Sequence, residues 1–141
     1  GFVYSVGLAP PLAAASLAAL KALHAGPDRV AALRTNGQLF LAEARRHGLD
    51  TGTSEGLAVV PIILGDSILA IALSQRMANA GINVQPIIHP AVPERSARRR
   101  FFITSEHTPE QIRYAAQTAA DELAHLGSSR EILSNPALLL G

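Results

Sequence analysis

The chain has 141 residues, 48% of them hydrophobic, which is enough apolar material for one domain with its own core. Twelve basic side chains against eleven acidic ones leave a formal charge of +1, so the charge balance implies no affinity for nucleic acid or an anionic membrane. The absence of cysteine excludes disulfide scaffolds, thiolate metal sites and cysteine nucleophiles, and Lys21 is the only lysine beside eleven arginines.

The chain opens on Gly1-Phe2-Val3-Tyr4 without a methionine, as a piece of a longer polypeptide would. The apolar stretch from Leu8 to Leu23 is interrupted by Pro10, Pro11, Ser16 and Lys21 and consists mostly of alanine. It reads as neither a membrane span nor a signal peptide. Proline is tolerated at a helix start, and the Ala- and Leu-rich run from Leu12 to Leu23 has high helix propensity. Gly26 and Pro27 stop that helix, and a second runs from Pro27 to about His47. Its positions Val30, Leu33, Gly37, Phe40 and Ala44 repeat at the 3–4 spacing of one buried face.

The pattern changes at Leu57–Leu64, a continuous apolar run rich in β-branched residues that predicts a buried strand. Asp66 is placed to cap a helix from Ser67 to about Ala80, closed by Gly81. Ile82–Ile88 predicts a strand with Pro86 near an edge, and after a Pro-rich loop Arg98–Thr104 predicts another, antiparallel to it or to its neighbour. Thr108-Pro109-Glu110-Gln111 forms a capping box for a helix to about Leu126, and 127–141 reads as a tail. The expectation is an α+β fold: a small antiparallel or mixed sheet packed with helices.

Two motifs invite functional readings. Gly52-Thr53-Ser54-Glu55-Gly56 has the Gly-x-Ser-x-Gly spacing, with Asp66, Glu94, His107 and His125 following in the order a hydrolase triad needs. The motif runs into a strand rather than out of one, so a polar loop is the plainer reading. In Arg98-Arg99-Arg100 alternation puts Arg98 and Arg100 on one face and Arg99 on the other. Such a face either is solvated or directs a guanidinium into a pocket to hold a carboxylate. The five histidines show no metal-ligand spacing, so no metal site is expected; His107 reads as bracing the strand-to-helix turn.

Several segments in order resemble the C-terminal part of the α-oxoamine synthases, which are fold-type I pyridoxal-phosphate (PLP) enzymes and include 8-amino-7-oxononanoate synthases and serine palmitoyltransferases. They are Phe2-Val3-Tyr4-Ser5 through Pro10-Pro11, Gly65-Asp66, Gly81-Ile82-Asn83-Val84, Pro90-Ala91-Val92-Pro93, Ala97-Arg98-Arg99-Arg100 and His107-Thr108-Pro109-Glu110-Gln111. The Pro-Ala-Val-Pro and Arg-Phe-Phe-Ile segments look most like members embedded in polyketide synthases.

The resemblance implies a small C-terminal domain of the fold-type I kind at 27–126. Residues 1–26 would form a loop reaching across a homodimer and a connecting helix, with the tail at 127–141. It implies that Arg100 binds the α-carboxylate of an amino-acid substrate and that Ala91, where several relatives have Thr, lies near that substrate. Ser5, with the backbone N–H groups of Val6 and Gly7, would contact the PLP phosphate of the other subunit, although many relatives have Thr, Ser or Asn at the latter two positions. In the family the PLP-bearing lysine, the Asp facing the pyridine nitrogen and the His stacked on the ring all precede the Tyr-Ser loop. No catalytic residue is therefore expected in this chain, Lys21 does not match that motif, and PLP is expected in the parent enzyme but not on this piece alone. The implied parent is a cytoplasmic homodimer that condenses an acyl-CoA or acyl-carrier-protein thioester with an amino acid, with decarboxylation, and has no nucleic-acid or membrane partner. The alternatives are a stand-alone α+β ligand-binding or regulatory module, and a small serine hydrolase using Ser54.

Overall fold

Prolines start both of the first two helices in the computed structural model of the chain, which describes residues 7–135 and 137. Pro10 and Pro11 open α1 (Pro10–Ala25), and Pro27 opens α2 (Pro27–Arg46). Between them Gly26 donates its N–H to Ala22 O at 3.0 Å and breaks the chain direction. No residue of α1 is buried, and its leucines 12, 17, 20 and 23 are exposed. The buried face of α2 comprises Asn36, Gly37, Phe40, Leu41 and Ala44. Val30, one position of the expected stripe, stays exposed.

The remaining elements are β1 (Val59–Ile63), α3 (Ser67–Asn79), β2 (Pro86–Ile87), β3 (Arg98–Phe102), α4 (Pro109–Leu126) and α5 (Ser129–Ser134), with one 3-10 turn at Glu94–Ser96. The sheet is open and antiparallel, in the order β1-β3-β2. In register Val59 faces Phe102, Pro61 faces Arg100 and Ile63 faces Arg98, while Ile87 faces Arg98 from the other side. The fold is α+β, with helices α2, α3 and α4 on one face of the sheet.

Alternation decides the core. Val60 and Ile62 of β1 and Phe101 of β3 point to the helices, where Phe101 stacks on Phe40 with centroids 4.6 Å apart. Around them pack Leu73 and Met77 of α3 and Ile112, Ala116 and Ala119 of α4. Burying such aliphatic side chains contributes about 1.5–3 kcal/mol each. The opposite face carries Val59, Pro61, Ile63, Arg98, Arg100 and Phe102, with Phe102 67% exposed and Val59 40% exposed.

Two expectations needed correction. The strand expected over Ile82–Ile88 pairs only at Pro86–Ile87. Ile82 N–H still closes the end of α3 by donating to Met77 O at 2.8 Å, and Val84 O is taken by side chains, Ser74 Oγ and Arg99 Nη1. A carbonyl occupied in this way is not available to a ladder. The stretch read as a tail holds α5, capped by a Ser128–Glu131 capping box and anchored by Ile132, which is 2% exposed. As expected, Asp66 caps α3 by accepting Leu69 N–H at 2.9 Å, and Thr108 with Gln111 forms the box that starts α4.

Candidate functional site

The uncovered sheet face gathers the chemistry-bearing side chains. Strand β3 sets Arg98 and Arg100 side by side on that face, two residues and therefore about 7 Å apart along the strand. Arg100 is exposed and makes no hydrogen bond or ion pair among the described residues. Arg98 is half-buried, and its Nε donates to Ser96 O at 2.8 Å, which anchors the stem and leaves the terminal nitrogens without a partner among the described residues. Arg99 points the other way and is 0% exposed. Its Nη1 donates to Val84 O, whereas Nε and Nη2 have no partner among the described residues. Desolvation by burial lowers its pKa from the ordinary guanidinium value to about 10.

The β2–β3 connection starts beside Arg98, opposite Ile87, and carries Ala91, which is exposed and donates its N–H to Ile88 O at 3.0 Å. Ala91 thus lies on the loop that leads into the strand bearing Arg98 and Arg100. Ser5 and Val6 lie outside the described residues. Gly7 is exposed, with φ +71° and open space where a Cβ would stand. A left-handed glycine there turns the chain immediately ahead of α1.

A cavity of about 340 Å³ lies over β1 on the same bare face. Its floor is Val59, Pro61 and Ile63, Arg98 closes one end, and the hydroxyl-bearing residues Thr53 and Ser54 stand on its rim. The rim is a fixed loop. Arg45 donates from Nε to Thr51 Oγ1 and from Nη2 to Ser54 O, both at 3.1 Å, and Gly52 N–H binds Asp50 Oδ1 at 2.8 Å. The helix side of the loop is sealed where Gly37 of α2 meets the backbone of Gly56 and Leu57. A second cavity, about 330 Å³, opens at the far end of β3 between Ile82, Val84 and the start of α4.

The hydrolase reading finds no assembled triad. Ser54 Oγ accepts Gly56 N–H at 3.3 Å, and no histidine lines its cavity. Asp66 is occupied as a helix cap, His107 Nδ1 accepts Thr104 N–H at 3.2 Å, and His125 Nδ1 lies 2.7 Å from Asp121 O. His107 therefore braces the turn, as its sequence position implied. Sequence reasoning missed Asn36, whose Nδ2 donates to Thr104 O at 3.0 Å and to His107 O at 2.9 Å, fixing the end of β3 against α2. Its only signal is a polar side chain on an otherwise apolar helical stripe. Among the described residues no group of His, Asp or Glu side chains is placed to hold a metal ion, and no helix is long and apolar enough to cross a membrane.

The aminotransferase class I and II family matches residues 1–118. The 8-amino-7-oxononanoate synthase of Stenotrophomonas maltophilia is 38% identical over 120 residues, covering 85% of this chain and 29% of that protein. Among solved structures, 8-amino-7-oxononanoate synthase from Francisella tularensis superimposes with TM-score 0.72 at 26% identity, over 86% of this chain and 35% of the other. A serine palmitoyltransferase with PLP shares the fold at TM-score 0.75 and 23% identity, over 85% of this chain and 30% of the other. The chain thus spans about a third of the length of these relatives.

Proposed function

The chain belongs to the class I and II aminotransferase family, within its α-oxoamine synthase branch, and on that premise we propose that it is the C-terminal part of a PLP-dependent acyltransferase. The enzyme would join an acyl thioester to an amino acid with loss of carbon dioxide. The observation that carries this reading is the unpaired guanidinium of Arg100 on a bare, largely apolar sheet face, at the position where the family pattern has its substrate arginine.

The physical argument rests on geometry. A carboxylate offers two oxygens in a plane, and a guanidinium offers two parallel N–H donors in a matching plane. Held by a strand, Arg100 fixes the direction of the bond between the substrate's carboxylate and Cα, and so which Cα bond stands in line for reaction. Val59, Pro61 and Phe102 are its neighbours on the same sheet face, so it stands among apolar rather than acidic side chains. PLP, when bound, supplies an electron sink. This chain alone does not make its site. Lys21 is exposed on α1, which packs chiefly against α2 rather than the sheet face, and in this reading the amine that holds PLP belongs to a part of the enzyme outside this chain. Ser5 and the N–H groups of Val6 and Gly7 would reach the cofactor phosphate of a second subunit in a homodimer. Ala91 would border the amino acid without offering it a hydroxyl.

The test uses the longer polypeptide that carries this chain. Titration with amino acid alone, followed through PLP absorbance, should show Arg100→Met weakening binding by about 10–100-fold, the range expected for a charge-assisted pair. Unchanged amino-acid affinity would reject the assignment. For the chain alone, one equivalent of PLP should give no internal-aldimine absorbance band. A band at that ratio, lost in Lys21→Ala, would overturn the reading.

A further inference from the structure

The cavity at the far end of β3 takes no part in the chemistry proposed for Arg100, and neither Arg98 nor Arg100 lines it. Its volume of about 330 Å³ lies at the low end of small-molecule pockets, which run from about 300 to about 1,000 Å³. Phe40, Phe101, Ile103 and Ile112, all buried, line it with carbon, and the rings of Phe40 and Phe101 meet with centroids 4.6 Å apart. The walls are pinned. Tyr114 OH donates to Ala80 O at 3.2 Å and ties α4 to the turn that follows α3. Ile82 N–H donates to Met77 O at 2.8 Å, and Asn36 fixes the carbonyls of Thr104 and His107 against α2. The shape therefore exists before any ligand arrives.

The polar side chains of this lining share one property. His107 Nδ1 accepts Thr104 N–H at 3.2 Å, so the ring proton sits on Nε2. Gln111 Oε1 accepts Thr108 N–H and Asn83 Oδ1 accepts from Gln85 Nε2, each at 2.9 Å. All three spend an acceptor inside the protein and keep N–H groups that have no partner among the described residues. No Asp, Glu, Lys or Arg lines the cavity. Glu106 precedes His107 and Glu110 precedes Gln111, while Arg113 of α4 pairs with Glu43 at 3.5 Å. A carboxylate entering here would lose hydration without meeting a cation, and an ammonium would meet N–H donors. An uncharged ring with an acceptor oxygen loses least, and aromatic walls favour a flat one. We propose that this cavity binds a small, uncharged ring compound bearing a carbonyl oxygen. The ring lies against Phe40 and Phe101, and the oxygen accepts from His107, Gln111 or Asn83. This assignment depends on neither PLP nor the carboxylate role of Arg100.

The probe is benzophenone, an uncharged aromatic ketone that forms bonds to neighbouring C–H groups when irradiated, and the protein is the longer polypeptide that carries this chain. After peptide mapping, the label should fall on residues 81–84 or 107–115. Indanone should protect those residues at about 3–10-fold lower concentration than indane, which has the same rings without the oxygen, the range expected for one hydrogen bond. Benzoate, which adds a charge, should protect no better than indane. Ala115→Leu, at a half-buried position of the lining, should reduce the label there by at least about tenfold by filling the cavity. The proposal is overturned if the label spreads over the exposed leucines of α1 instead, if indane or benzoate protects as well as indanone, or if Ala115→Leu is labelled as the parent is. The protection series uses the parent alone, so it decides the matter even where Ala115→Leu fails to fold. Absence of label at the cavity, as when another part of the polypeptide fills it, overturns the proposal too. Amino-acid affinity in Arg100→Met is read separately, so the two assignments fail independently.

Discussion

Arg99 donates one Nη1–H to the carbonyl of Val84 and leaves Nε and Nη2 without a partner among the described residues. A guanidinium that is 0% exposed bears a desolvation cost that one hydrogen bond does not offset. Arg99→Met keeps the length of the side chain and removes the charge, and Val84 O keeps its bond from Ser74 Oγ, 3.0 Å away. The variant should be more stable by about 1–3 kcal/mol, read as a higher urea midpoint at constant slope. A loss of stability would mean that the guanidinium is satisfied by groups such as buried water.

The contact between α2 and the rim loop depends on Gly37. A Cβ there would run into the carbonyl oxygens of Gly56 and Leu57. Backbone cannot step aside as a flexible side chain can, so Gly37→Ala should cost at least about 1–3 kcal/mol. Hydrogen exchange should rise in residues 51–57, and an unchanged melting curve would contradict the close approach.

Asp66 caps α3 by accepting Leu69 N–H, and Ser129 at the start of α5 lies close enough to favour its charged form. The Leu69 bond, with smaller help from Ser129 and Ile68, holds its pKa below the ordinary carboxylate value. The folded value is the lower one, so the stabilisation is complete above about pH 4 and is lost as pH falls through the folded value. Asp66→Asn keeps the cap but cannot titrate. It should match the parent near neutral pH and show a flatter decline below about pH 4 in acid unfolding.

Helix α5 is short, and Ile132 is its one buried side chain. Ile132→Ala should cost about 2–4 kcal/mol, and Ser128→Ala about 1 kcal/mol through the cap. Both should expose α5 amides to exchange before those of α4.

Local chemistry made much of this fold legible. The capping box at Thr108, the cap at Asp66 and the prolines at 10 and 27 act within a turn of chain, so each could be read directly from its neighbours. The same Ser-x-x-Glu signal stands at Ser128, but a single buried side chain made α5 look like a tail. The expected strand at Ile82 failed because Val84 O binds Arg99, fifteen residues away, and alternation alone cannot foresee that. Within the candidate site the facing of Arg98 and Arg100 followed from the strand period. The cavity over β1 did not, because its walls come from a loop and a strand that meet only after folding.

The three consecutive arginines also act as a key for strand pairing. A slip of β3 by one residue would turn every side chain to the other face, burying Arg98 and Arg100 in place of Arg99 and putting Phe101 in water. Two enclosed cations would replace one, with the aromatic contact to Phe40 lost as well. The costly guanidinium at position 99 is therefore the smaller of two penalties, and the sheet has only one affordable alignment.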